Sequence, residues 1–153
     1  MSHDQVRAIA RQCSSPSSTL LRWAQAFPFA FVVDPSRRII AAGELLRRIC
    51  PEVDAQPLLD ACFSATNDDL TRDFAQLAAN SGQLLILNRK RAGVVPPLRG
   101  QWMAISDSSL MFIGWPWVTS FGQLGEMGIK LSEIPPHNPL AEMLMLLQTN
   151  RSA

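Results

Sequence analysis

The sequence predicts an α+β fold: a five-stranded antiparallel sheet with short helices on one face and flanking N- and C-terminal helices. Three observations lead there. Apolar runs of strand length come in two adjacent pairs, 29–33 with 38–42 and 101–105 with 110–115, each joined by a short polar turn of hairpin type. A fifth run, 83–87, precedes the second pair, and short helical patterns fill the interval between the pairs. The hairpin 101–115 is apolar on both faces. Alternation sets Trp102 and Ala104 against Met103 and Ile105, and Leu110 and Phe112 against Met111 and Ile113. A ribbon with one wet face would alternate apolar with polar, so both faces of this one need cover. The domain's own helices would supply one cover, and a terminal helix or a second subunit the other.

At 153 residues the chain fits one domain with a single core. Its first element is a short amphipathic helix, in which Val6, Ile9, Ala10 and Cys13 form one stripe. Residues 14–18, Ser-Ser-Pro-Ser-Ser, break it. A second helix starts at Thr19 with Ser18 as N-cap and Leu20, Trp23, Ala24 and Phe27 inward, and Pro28 stops it. Strands 29–33 and 38–42 flank the turn Asp34-Pro35-Ser36-Arg37. After Gly43 come short helices over 44–50 and 56–63, the first closed by Pro51 and the second with Pro57 in its first turn. Thr66-Asn67-Asp68-Asp69 caps a longer helix with Leu70, Phe74, Leu77 and Ala78 inward, ended by Ser81-Gly82.

Strand 83–87 and a basic loop, 88–97, deliver the chain to the central hairpin and its turn, Ser106-Asp107-Ser108-Ser109. A helical turn over 120–128 and an irregular connector over 131–139 follow. The last helix takes Asn138 as cap and Pro139 as first residue; Leu140, Met143, Leu144 and Leu147 form a stripe that wants a partner helix, as the opening of a coiled coil would. This order of strands and helices is the one seen in PAS domains, and periodicity alone leaves other α+β folds open. The chain divides into an N-terminal helical segment, 1–26, a PAS-like domain, 27–136, and a C-terminal helix, 137–153.

Composition removes several classes of function. Fourteen basic against thirteen acidic side chains leave a net charge of +1, which gives no electrostatic grip on nucleic acid or anionic lipid. No run reaches the roughly eighteen apolar residues of a membrane span. Cys13, Cys50 and Cys62 are odd in number without C-x-x-C spacing, and the N-terminus has no apolar signal segment, so a cytoplasmic location is expected. No G-x-S-x-G, H-E-x-x-H, P-loop or G-x-G-x-x-G occurs, and two histidines leave little for acid–base chemistry; the chain is not expected to be an enzyme.

Candidate sites are few. His137, alone in a Pro-rich connector, reads as a hydrogen-bonding staple in preference to a heme or metal ligand, because stable metal sites need further ligands. Trp102 and the Trp115-Pro116-Trp117 run read as core and interface aromatics, with a pocket for a planar ligand as the alternative. Arg89-Lys90-Arg91 with Arg99 reads as a solvated basic patch without a stacking platform. Cys50 and Cys62 read as core filling.

Three groups of short motifs carry a resemblance. They are Phe27-Pro28-Phe29 leading to Val32-Val33-Asp34; Leu98-Arg99-Gly100-Gln101-Trp102-Met103 with Asp107; and Ile113-Gly114-Trp115-Pro116-Trp117-Val118 followed by Leu131-Ser132-Glu133-Ile134-Pro135 and His137-Asn138-Pro139. Together, from about Phe27 to Gln148, they resemble the heme-NO-binding-associated (H-NOXA) domain. That is the PAS-like module between the gas-sensing domain and the coiled coil of soluble guanylate cyclases, found also in bacterial histidine kinases. Asn138 stands where aspartate is more usual, so no ion pair is implied there. The chain has no tyrosine, so the Tyr-x-Ser-x-Arg motif of the heme-binding partner domain is absent.

The resemblance implies a regulatory module of a bacterial signalling protein that dimerises and relays conformational change to a C-terminal effector, covalently linked or associated. The expected homodimer interface is Val6, Ile9, Trp102, Met103, Met111, Ile113, Leu140 and Leu144. No cofactor or metal is expected. The alternative is a PAS sensor holding heme, flavin or a small metabolite, with Trp102, Phe112, Trp115 and His137 as its candidate residues.

Overall fold

Antiparallel pairing of six strands organises the computed structural model, which describes residues 26–140, 142–144 and 146. Nearly all of the two helices expected before Pro28, and with them Val6 and Ile9, lies outside the described residues. The strands are β1 (Phe31–Val33), β2 (Ile39–Ala42), β3 (Phe63–Ala65), β4 (Leu85–Arg89), β5 (Leu98–Ser106) and β6 (Ser109–Pro116). Their order across the sheet is β2-β1-β6-β5-β4-β3. Five of them are the expected runs, with shifted ends. The sheet therefore has one strand more than the five predicted.

The extra strand, β3, comes from the tail of the helix expected over 56–63. That helix is only α3, Leu59–Cys62. Phe63 leaves it to pair with Arg89 of β4, and its ring stacks on Phe31 at 5.5 Å between centroids. Three residues are too few for period-2 alternation to show in a sequence window, so only the partner strand reveals them.

The other helices are α1 (Glu44–Ile49), α2 (Glu52–Ala55), α4 (Phe74–Ala79) and α5 (Phe121–Glu126), with a 3₁₀ turn over Leu131–Glu133. The long helix expected from Thr66 is a second correction. The side chains read as its cap close turns instead: Asp69 Oδ1 accepts from the N–H and hydroxyl of Thr71, and Asn67 bonds both Leu84 O and Ile86 N of the β4 segment. Helix begins only at α4, where Asp73 and Gln76 form a reciprocal capping box.

The β1–β2 turn follows its sequence. Asp34 Oδ1 accepts from Ser36 N and Arg38 N, both at 2.9 Å, and this holds Arg37 in the left-handed region at φ 63°. The Arg37 guanidinium then reaches Leu70 O at 3.0 Å, tying the turn to the loop before α4.

Both faces of the sheet carry an apolar cluster, as the missing polar alternation requires. On the helix-covered face, Phe31, Phe63, Trp102, Leu110 and Phe112 pack with Leu46, Ile49, Val53, Leu59 and Leu77 of α1–α4. Each such buried side chain contributes roughly 1.5–3 kcal/mol. On the other face Ala30, Val32, Ala41, Ile105 and Met111 form a second cluster, flanked by half-buried Phe27, Met103 and Ile113. The central hairpin is longer than expected and its turn tighter. Ser106 pairs with Ser109 across Asp107-Ser108 with a register shift between Ala104 and Ser106, and Ile105 keeps the face of Met103 in the second cluster while Ala104 is exposed.

Candidate functional site

Two neighbourhoods concentrate the polar and aromatic side chains that the core does not absorb. One is the base of the β5–β6 ribbon. Register sets Arg99 opposite Trp115 and Gln101 opposite Ile113, on the face turned away from Trp102 and Phe112. With Leu84 and Trp117 they line a groove of about 620 Å³. The Arg99 guanidinium lies 4.3 Å from the Trp117 ring centroid, a cation–π seat. Gly100 is required beneath it, because a Cβ there would meet Ile113 O of the paired strand.

The second neighbourhood is where the chain leaves the sheet. Asn138 is buried and caps the final helix, its Oδ1 accepting from Leu140 N at 2.9 Å, as the Asn-Pro pattern predicted. Leu140 and Leu144 then enter the cluster that holds Trp102 and Phe112. His137 Nε2 lies within hydrogen-bond distance of Ala26 O, and its ring meets Phe27 edge-on. This is the staple expected of it. Arg48 of α1 reaches forward to the same region, pairing with Glu133 at 2.7 Å and donating to Gly128 O at 3.3 Å. The Arg48 hydrogen bond, with a second from Lys130 N, holds the Glu133 carboxyl down to about 2. The same contact raises Arg48.

Of the eight expected interface residues, Val6 and Ile9 lie outside the described residues. Trp102, Met111, Leu140 and Leu144 are 0–3% exposed within the single chain, and Met103 and Ile113 are half-buried. Among the ligand candidates, Trp102 and Phe112 are core rings. Phe31 stacks on Phe112 at 5.2 Å and meets Trp102 edge-on at 5.8 Å, so the space beneath them is filled by aromatic packing. Trp115 lies in the groove and His137 at the exit, so the four candidates are not brought together.

The basic patch also divides. Arg89 is spent on Glu52, Nη2 to Oε1 at 2.8 Å with a second bond from Nε. Burial pushes the Glu52 carboxyl up, but those bonds and a backbone N–H outweigh it and leave it below its ordinary value. Arg99 does have a stacking platform, contrary to expectation, in Trp117. Alternation along β5 carried that signal, since positions 99 and 101 share a face with their partners 115 and 113. Cys50 and Cys62 are buried free thiols, pushed up by burial to about 12 and about 11. Among the described residues no group of three or more His, Cys, Asp and Glu could hold a metal ion, and no helix is long and apolar enough to cross a membrane.

Fold and site define a class: an α+β module whose sheet core is continuous with the helix that leaves it. Comparison with known proteins shows what the chain is similar to. Residues 95–153, which include the ribbon and the exit, match the family described as heme NO binding associated, so the resemblance drawn from the motifs holds. The chain is 27% identical over 140 residues to guanylate cyclase soluble subunit alpha-1 of Bos taurus, covering 85% of this chain and 20% of that one. Over 134 residues it is 25% identical to subunit alpha-2 of Homo sapiens (81% and 18%), and over 137 residues 28% identical to subunit beta-2 of Rattus norvegicus (82% and 20%). It spans about a fifth of the length of these curated relatives.

Proposed function

We propose that the protein is a PAS-like dimerisation and relay module, which passes packing changes in its sheet to an effector attached or docked at the C-terminal helix. One observation carries this reading: Leu140 and Leu144 share a core with Phe31, Trp102 and Phe112. Close-packed cores move between discrete arrangements and do not deform smoothly, so a shift at the sheet must be felt at the helix. Setting the short edge strand β3 aside, the order β2-β1-β6-β5-β4 is compatible with a PAS sheet. The relatives are named as subunits, which supports association with a second chain; we assign that role to a homodimer here, through Met103 and Ile113 on the outer face. The cytoplasmic setting, the bacterial signalling context, the absence of a resident cofactor and a catalytic output outside this chain belong to the same proposal.

Amide exchange on the 153-residue chain tests the relay. Leu144→Ala should lower protection in β1 and β6 as well as in the final helix; loss confined to the helix overturns it. Sedimentation tests the partner. Ile113→Glu should give a folded monomer from a dimeric parent, and an unchanged sedimentation coefficient would remove Ile113 from the interface.

A further inference from the structure

We propose that the groove at the base of the β5–β6 ribbon binds a small apolar monocarboxylate, with Arg99 holding the carboxylate and Leu84, Ile113, Trp115 and Trp117 covering the tail. The inference does not rest on the relay reading but meets it at one residue, since Ile113 lines the groove and is also assigned to the dimer contact; an occupant there would give the relay a chemical input. Among the described residues Arg99 is the one charged side chain lining the groove. Among the described residues no carboxylate lies within ion-pair distance of it, whereas Arg47, Arg48, Arg72 and Arg89 each have one. Its face rests on Trp117, which leaves the N–H donors along its edge for an anion with two coplanar oxygens. The amide of Gln101 stands on the same face as a second polar group.

The remaining lining is apolar, and its Leu84 and Trp117 are 47% and 39% exposed, a surface that an aliphatic tail would remove from water. Charge complementarity selects the occupant. A polyanion would need more than one cation, and a neutral hydrocarbon would leave the guanidinium unpaired over an apolar floor. The volume, about 620 Å³, lies in the range of small-molecule sites. The source assigned is the free monomeric acid and not a membrane, because lipid surfaces are gripped by clusters of basic residues and this groove has one among the described residues.

Calorimetry on the 153-residue chain with decanoate below its micellar concentration tests the proposal, with decanol as the neutral analogue. Saturable one-to-one uptake of decanoate is expected, at least tenfold tighter than that of decanol. Arg99→Gln should weaken decanoate at least tenfold and leave decanol unchanged, with Arg99→Lys between the two. Leu84→Glu, a change at an exposed position that should leave the fold intact by near-ultraviolet circular dichroism, should also weaken decanoate at least tenfold. The proposal is overturned by absence of saturable uptake, by equal affinity of Arg99→Gln for decanoate, or by uptake only as anionic vesicles. It is equally overturned if Arg99→Gln alters the sedimentation coefficient without altering decanoate uptake, since the groove would then be a contact between copies of the chain.

Discussion

His137 Nε2 lies 2.6 Å from Ala26 O, across 111 positions of sequence, and the imidazole meets the Phe27 ring at 5.9 Å between centroids and 62° between planes. The chain's way into the sheet and its way out are thereby pinned to each other. His137→Ala removes both contacts. We expect a loss of about 1 kcal/mol, the usual net worth of one hydrogen bond, and a fall in Tm of roughly 2–4 °C for a domain of this size. Amide resonances of both Phe27 and Leu140 should shift. A response on the C-terminal side alone would show that the pin does not couple the two ends.

Asn138 invites a sharper comparison. Its side chain satisfies the N–H of Leu140, and Asn138→Ala should cost about 1 kcal/mol, within the 0.5–2 kcal/mol measured for lost N-caps. Asn138→Asp keeps the acceptor and adds negative charge at the positive end of the helix, so it should be neutral or stabilising. Urea midpoints of the three proteins at pH 7 decide it. An aspartate variant as unstable as the alanine one would show that amide hydrogens, not the oxygen, hold the turn.

Acid stability should depend on Glu133. Its folded carboxyl is held at about 2 against an ordinary 4.5, chiefly by the hydrogen bond from Arg48. A depressed carboxylate stabilises the fold above its unfolded value and loses that contribution as pH falls through the folded one, here between about 4.5 and 2. Glu52, also lowered, acts in the same direction. Glu133→Gln should therefore flatten the decline in urea midpoint from pH 5 to pH 2, and added salt should shrink the difference, since the pair is partly exposed. A variant that follows the parent curve throughout would remove Glu133 from the acid response.

The central ribbon, the first hairpin and the cap at Asn138 were legible because each depends on local chemistry: alternation in β5 and β6, an Asx turn at Asp34, an Asn-Pro helix start. Residues 63–73 were not. Asp68, Asp69 and Asn67 have the composition of a helix cap, and only the arrival of β4 shows that Asn67 is bonded to Leu84 and Ile86 instead. The groove was half legible. The aromatic run 115–117 stood out, but Arg99 joined it only once the β5–β6 register was known. The expected strand began at Gln101, so positions 98 to 100 had no face assigned until β5 was seen to start at Leu98.

Cys50 and Cys62 should resist alkylation in the folded protein. Burial holds their thiols at about 12 and about 11, so at pH 8 the reactive thiolate is scarce, and Cys62 Sγ also donates to Gln56 O at 3.2 Å. Iodoacetamide labelling followed by peptide mass spectrometry should find both sites unmodified in native buffer and fully modified in urea. Rapid native labelling of either would mean that the α1–α3 layer opens far more readily than its packing allows.

Two glycines give opposite forecasts from one chemical change. A Cβ on Gly100 would sit 2.1 Å from Ile113 O and 2.6 Å from Gly114 Cα, both backbone atoms of the paired strand that cannot swing aside. Gly100→Ala must therefore push β5 off β6 at the groove, at a cost of about 1–3 kcal/mol or more. Gly125, inside α5, has nothing within 4 Å of the added carbon and no positive φ, so Gly125→Ala should gain about 0.8–1 kcal/mol from helix propensity. Thermal melts give the signs. Amide exchange gives the place: in Gly100→Ala protection should fall at Arg99 and Trp115, while the far end near Ser106 and Ser109 keeps its pairing. Equal loss along the whole ribbon would mean that β5 and β6 part as one unit, and that the groove cannot change shape without the hairpin.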